Sequence, residues 1–106
     1  MIREGGTVVI ENANATEELL DGTQFSTITQ AMDFVVRLVA TAQTGTYVFR
    51  RGSDRLSQGS LSLVANGIAN AEDAEIFRGR IMPGNLYLDV TSTNDATVVQ
   101  FDITAY

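Results

Sequence analysis

The chain has 106 residues, with thirteen acidic residues against seven arginines, a formal net charge of −6, and no lysine, histidine, cysteine or tryptophan. This length fits a single domain, residues 1–106, and an apolar content of 44% excludes a disordered chain. The absence of cysteine excludes disulfides and thiolate ligands, and the acidic surplus argues against nucleic-acid binding, because phosphate contacts need a basic surface.

The first third of the chain contains weak strand signals. Residues 7–10 predict an opening strand, and Phe25 and Ile28 flank a second, weaker one. Residues 16–20 and the later segment 70–73 each fit one capped helical turn. Neither turn is long enough to set the fold class.

Residues 29–42 fit two structures. As a strand, this segment places Phe34, Val36, Leu38 and Ala40 on one apolar face. As a helix, it has a polar stripe that includes an Asp33–Arg37 pair at i,i+4 spacing. Because the neighbouring segments carry strand signals, we favour a long central strand.

The second half of the chain is a series of alternating segments. Residues 46–51 predict a strand that ends at Gly52, and residues 60–64 predict another with Leu61 and Leu63 facing inward. Residues 74–81 precede the Pro83-Gly84 turn signal.

The clearest alternation lies at residues 86–91 and 99–104, with the polar Asn94-Asp95 between them in a connection that suits a hairpin. Seven to eight short strands with regular turn signals predict an all-β fold, an antiparallel β-sandwich. A jelly roll or another Greek key is the expected topology.

The central strand also predicts a subunit contact. Val35 and Val39 lie on the face opposite Phe34 and Val36, so both faces of this strand are apolar. One face then needs a cover beyond its own core. An oligomer interface at Val35 and Val39 is the simplest cover, and a loop is the alternative. We therefore predict a homo-oligomer, a dimer or a trimer.

No catalytic constellation is complete. A serine or threonine nucleophile needs a base, and histidine, lysine and cysteine are absent. Zinc would depend on carboxylates alone, and Glu72, Asp73 and Glu75 lack the spacing of a calcium loop. Asp89 and Asp102 fall on regular strand faces, where we interpret them as marking the solvated side of the sandwich. We predict a protein without enzymatic activity, metal or cofactor.

One short segment is basic. Residues 37–55 carry four arginines and one aspartate, between two acidic stretches. The charges either keep the surface soluble or form a patch that docks on an acidic partner or on a second subunit. Arginine and tyrosine are enriched at interfaces, so we select Arg50, Arg51, Arg55 and Tyr87 as candidate protein-contact residues.

Three stretches carry a family resemblance: Leu19-Leu20-Asp21-Gly22-Thr23, the strand and turn at residues 47–54, and the segments 79–90 and 97–103. In this order they resemble the small β-sandwich proteins of tailed phages that decorate or cement the capsid or serve as minor virion proteins. The resemblance covers residues 19–103 and carries over no functional residue.

The resemblance implies a virion structural protein on the capsid surface, made in the host cytoplasm. Its partners would be the major capsid protein or other virion proteins. A nucleic acid is not expected as a partner because of the acidic surplus. A membrane is not expected because no apolar run approaches the roughly 20 residues that span a bilayer. The alternatives are a carbohydrate- or ligand-binding module, with Tyr47 and Tyr87 as a stacking platform, and a generic assembly protein.

Overall fold

The computed structural model describes residues 1–68 and 74–106, and nine strands in this part of the chain form two antiparallel sheets. The strands are β1 (Ile2–Ile10), β2 (Thr16–Glu18), β3 (Thr27–Ile28), β4 (Met32–Ala42), β5 (Gly45–Arg51), β6 (Asp54–Ser60), β7 (Glu75–Ile81), β8 (Gly84–Ser92) and β9 (Thr97–Ala105). This architecture confirms the predicted all-β sandwich. The helical turn expected at residues 16–20 is wrong, because this segment contains β2, and the turn expected at residues 70–73 lies outside the described residues.

The strand order is that of a jelly roll. Sheet A has the order β1-β9-β4-β7, and sheet B has the order β2-β8-β5-β6, with β3 also paired to β8. The pairs β1–β9, β2–β8, β4–β7 and β5–β6 nest within one another along the chain, as if one long ribbon had been rolled up. This nesting selects the jelly roll over other Greek-key arrangements.

The segment that fitted two structures is the strand β4, at the centre of sheet A. Its alternate residues Phe34, Val36, Leu38 and Ala40 are at most 1% exposed and face the core. Pairing with β9 on one side and β7 on the other satisfies its backbone. The prediction of a long central strand, which was favoured over a helix because of the neighbouring strand signals, is therefore confirmed.

Two details of the predicted strands are wrong. The connection after β8 is not a hairpin, because β8 belongs to sheet B while β9 pairs with β1 and β4 in sheet A. A strand was expected at residues 60–64, but β6 spans Asp54–Ser60 and ends where the expected strand begins. Leu63, which was expected to face inward, is 61% exposed. The consecutive pair that does form a hairpin is β5–β6, closed at Gly52, whose φ of 58° favours glycine.

One hydrophobic core joins the two sheets. Phe49 of sheet B is fully buried, and its ring lies 5.4 Å from that of Phe77 in sheet A. On sheet A, Phe34 contacts Phe25 edge-on, with ring centroids 5.5 Å apart. These aromatic contacts fix the spacing of the layers and leave the outer face of each sheet for other contacts.

Candidate protein-contact surfaces

The outer face of sheet B brings together three of the four predicted contact residues. Arg50 lies opposite Tyr87 across the β5–β8 pairing and opposite Arg55 across the β5–β6 pairing. The Arg50 guanidinium carbon lies 4.0 Å from the centre of the Tyr87 ring. Its Nε donates to Oδ2 of Asp89 at 2.8 Å, and its Nη1 donates to the carbonyl of Gly52 at 2.7 Å. We call Arg50, Arg55, Tyr87 and Asp89 the sheet B patch.

Arg51 does not belong to the sheet B patch. Successive side chains of a strand point to opposite faces, so Arg51 lies on the other face of β5 from Arg50. There its stem approaches Gly84, and its Nη2 lies 3.9 Å from Oδ2 of Asp54. The interpretation of the three arginines as one contiguous surface is therefore wrong for Arg51.

The sheet B patch is rigid at its centre and charged at its margin. Arg50 has its charge balanced by Asp89, and the guanidinium is held by the salt bridge, the backbone carbonyl and the Tyr87 ring. Arg55 donates to the neutral side chain of Gln58 at 2.8 Å. The excess positive charge of the patch therefore lies at Arg55.

The predicted interface residues Val35 and Val39 have different surroundings. Val39 is fully buried on the outer face of sheet A beneath Val64, Ile68 and Ala74. The choice of Val39 as a subunit-contact residue is corrected by this finding, because Val64, Ile68 and Ala74 cover it. We call residues 64–68 the covering segment. Val35 is partly buried and lines a shallow groove.

The outer face of sheet A carries a charged groove that the sequence did not indicate. A depression of about 500 Å³ is lined by β1, by β9 and by Asn66 and Ile68 of the covering segment. It adjoins a second depression of about 430 Å³, and Arg3, Arg37 and Asp102 line both. We call this pair of depressions the sheet A groove.

Hydrogen bonds hold the sheet A groove together. Arg3 donates through Nε to Oδ1 of Asp102 at 2.8 Å, which raises the pKa of Arg3. Arg37 donates to the carbonyl of Ile68 at 3.0 Å, and Gln100 accepts the Ile68 N–H at 2.7 Å. These bonds anchor the covering segment on the sheet. We interpret the groove as part of the monomer's own framework.

Substituting Arg78 by alanine is expected to raise the pKa of Glu75. The Arg78 guanidinium donates to both carboxylate oxygens of Glu75, at 2.8 and 3.0 Å, and these bonds lower the pKa of Glu75 below 4.5. Desolvation raises the pKa and Arg37 lowers it more weakly, so without Arg78 the pKa of Glu75 should return to the ordinary range of a glutamate. Because the folded-state pKa is depressed, the stabilisation is present above 4.5 and is lost as pH falls through the folded value. NMR titration of the Glu75 carboxyl carbon measures the change, and an unaltered pKa in the variant would contradict it.

The two tyrosines proposed as a sugar-stacking platform both make contacts within the protein. The Tyr47 ring packs against the core, and its hydroxyl lies 3.2 Å from that of Ser57. Arg50 covers one face of the Tyr87 ring. The two rings lie on opposite faces of sheet B, because Tyr47 is opposite Val90 and Tyr87 is opposite Arg50. They therefore do not form one platform.

No protein-family model matches the sequence, and no curated protein or solved structure shows significant similarity to it. In the described parts of the chain, no helix is long and apolar enough to cross a bilayer. A functional inference therefore depends on the residues and their geometry.

Proposed function

We propose that this protein is a virion structural component that decorates or cements a phage capsid through protein–protein contacts. The observation that carries the proposal is the sheet B patch, in which Arg50 is stacked on Tyr87 at 4.0 Å and tied to Asp89 at 2.8 Å. Arg50 and Tyr87 are of the residue types that dominate binding energy at interfaces. The major capsid protein or another virion protein is the proposed partner.

The geometry of the patch suits an acidic protein surface. Because three contacts already hold the Arg50 side chain, little side-chain entropy is lost when a partner covers it. Arg55 adds an exposed positive charge at the margin, where charges steer encounter and select partners of opposite sign. We expect an acidic partner surface that contacts Tyr87 and lies beside Arg55.

The positions of the tyrosines favour this function over the carbohydrate-binding alternative. Jelly rolls form the domains of viral capsid proteins and of lectins, so the fold is an analogy that suits both. Tyr47 and Tyr87 lie on opposite faces of sheet B, and Arg50 covers one face of the Tyr87 ring. A flat protein contact uses this surface better than a stacked sugar would.

Wild-type protein is expected to co-sediment saturably with virus particles induced from the source culture, and the Arg50→Ala/Arg55→Ala variant is expected to bind at least about tenfold more weakly. The double substitution removes both positive charges and the cover of the Tyr87 ring. Pelleting over a range of protein concentrations gives the apparent Kd.

Arg80→Ala is the matched control. Arg80 is an exposed arginine on the other sheet, where its Nη1 lies 3.6 Å from Oδ1 of Asp33. Its loss should leave binding unchanged. Equal binding of the double variant and wild type would remove the sheet B patch as the contact. A wild-type protein that stays in the supernatant would remove the capsid function itself.

A further inference from the structure

In the described parts of the chain, four strand edges border the sandwich, and three of them are protected against pairing with another chain. The β2 and β3 edge consists of strands of three and two residues. The β6 edge carries the charged Asp54 and Arg55, and its pairing with β5 contains a register shift. The β7 edge has a register shift against β4, and the carbonyl of Ile76 in β7 accepts a hydrogen bond from the Ser57 hydroxyl. Short strands, charges and irregular pairing all discourage pairing with another chain.

The fourth edge, β1, has none of these protections along most of its length. It pairs with β9 over nine consecutive residues without a register shift. Its charged residues are Arg3 and Glu4, and residues 5–10 are uncharged. No backbone hydrogen bond found outside the paired strands, among residues 1–68 and 74–106, involves residues 1–10. Gln24 reaches this strand at the side chain of Glu4 and not at its backbone.

Exposed apolar side chains cluster at the two ends of the β1 edge. Met1 is 84% exposed, Ile2 is 42% exposed and Val9 is 47% exposed, while Val8 is partly buried. Gly5 and Gly6 lie between these ends. From residue 1 to residue 9 the order is therefore apolar, charged, glycine, polar, apolar. When two copies of this strand lie antiparallel, the apolar end of one copy lies beside the apolar end of the other.

We propose that two copies of this chain pair antiparallel through their β1 edges, about a twofold axis at Gly5, and so join two A sheets into one eight-stranded sheet. In this register Met1 of one copy lies opposite Val9 of the other, and Ile2 lies opposite Val8. Residues directly opposite one another share a face of the sheet, so these apolar pairs cover one another.

The neighbouring registers match poorly. Centring the axis at Gly6 places Arg3 opposite Val9, and centring it at Glu4 leaves Val8 and Val9 without an opposite residue in β1. With the axis at Gly5, Arg3 faces Thr7 and Glu4 faces Gly6, so no like charges oppose one another. The contact is isologous, as closed twofold dimers require.

This dimer does not depend on the capsid contact, since the sheet B patch lies on the other sheet. The net charge of −6 on each copy opposes association, and salt screens that repulsion. We therefore expect the dimer to become tighter as ionic strength rises.

Sedimentation velocity of the full chain over a concentration series tests the proposal. The wild type should show a dimer, and Val9→Lys should weaken dimerisation by at least about tenfold, because a lysine on an edge strand opposes pairing and each dimer contains it twice. Leu63→Lys makes the same charge change at another exposed apolar side chain and should leave the dimer intact. Circular dichroism of both variants should match that of the wild type, which checks that they are folded.

A cysteine pair tests the register, because the natural chain contains no cysteine. Arg3→Cys/Thr7→Cys should form a covalent dimer on mild oxidation, since these positions face one another between copies and lie about 13 Å apart within one strand. A wild type that remains monomeric, a Val9→Lys variant that remains dimeric, or a cysteine pair that does not cross-link would each overturn the proposed pairing.

Discussion

Replacing Phe49 by alanine is expected to lower the free energy of unfolding by about 3–5 kcal/mol. Phe49 is fully buried in β5, and its ring contacts Phe77 across the two sheets. The substitution removes the apolar surface of the ring and leaves a cavity where the layers meet. Domains of this size have a free energy of unfolding of about 5–15 kcal/mol, so the variant would lose a large part of its stability. Urea unfolding followed by circular dichroism measures the change.

Tyr106→Ala is the control for this prediction. Its side chain is an aromatic ring too, but the residue is 63% exposed at the end of the chain. Its truncation should change the free energy of unfolding by less than about 0.5 kcal/mol. If Phe49→Ala and Tyr106→Ala unfolded at the same urea concentration as wild type, the core contact between the sheets would be wrong.

Replacing Glu18 by alanine is expected to cost about 2–4 kcal/mol, because two backbone N–H groups lose their acceptor. Oε1 of Glu18 accepts hydrogen bonds from the N–H of Leu20 and of Leu88, both at 2.9 Å. Leu20 and Leu88 are fully buried residues. Leu88 lies in β8 between the residues that pair with β2 and those that pair with β3. At this position the Glu18 carboxylate takes the place of a strand carbonyl as the acceptor for the Leu88 N–H. Thermal and urea unfolding measure the loss.

Two variants separate the hydrogen bonds from the charge. Glu18→Gln keeps a side-chain oxygen for the two N–H groups and should cost about 1 kcal/mol or less. Glu17→Ala removes the same charge from the neighbouring, exposed position and should change stability by less than about 0.5 kcal/mol. A Glu17→Ala loss equal to that of Glu18→Ala would show that charge, and not hydrogen bonding, is responsible.

The two proposed contacts are compatible in one assembly. The sheet B patch lies on the outer face of sheet B, and the β1 edge lies at the margin of sheet A. A dimer joined at β1 would carry two sheet B patches. If both engaged one shell, the second contact would form at a high effective concentration and strengthen attachment without a new interaction. Val9→Lys would then weaken capsid binding as well as dimerisation.

Alternation along the chain, together with the strand signals of the segments beside residues 29–42, predicted three strands that contribute to the core. The apolar set from Phe34 to Ala40 and the alternation at residues 86–91 and 99–104 correspond to β4, β8 and β9. A strand buried on one face needs side chains of period two, and that requirement is visible in the order of residues. The same alternation placed Asp89 and Asp102 on outer faces, where each is paired with an arginine. The interpretation of Asp102 as a solvated residue is wrong, because it is only 8% exposed.

The candidate surfaces were predicted in part. Arg50, Arg55 and Tyr87 were selected because arginine and tyrosine are enriched at interfaces. They lie close together because β6, β5 and β8 are neighbouring strands. The sheet A groove was missed because Arg3, Arg37 and Asp102 lie far apart in the chain and meet through the pairing of β1, β9 and β4. Glu18 was missed for a related reason, since its role depends on the interval between two short strands on the edge of β8.

Local periodicity in the sequence is enough to predict the all-β class and the inward faces of β4, β8 and β9. Tertiary structure alone decided which strands pair. The short connection between β8 and β9 fits a hairpin or a crossing between sheets equally well, and pairing with β1 and β4 selects the crossing. Tertiary structure also decided what covers Val39, because that depends on where Val64, Ile68 and Ala74 lie against sheet A. An apolar side chain shows that it needs a cover, but its neighbours in the chain do not show which distant surface supplies it.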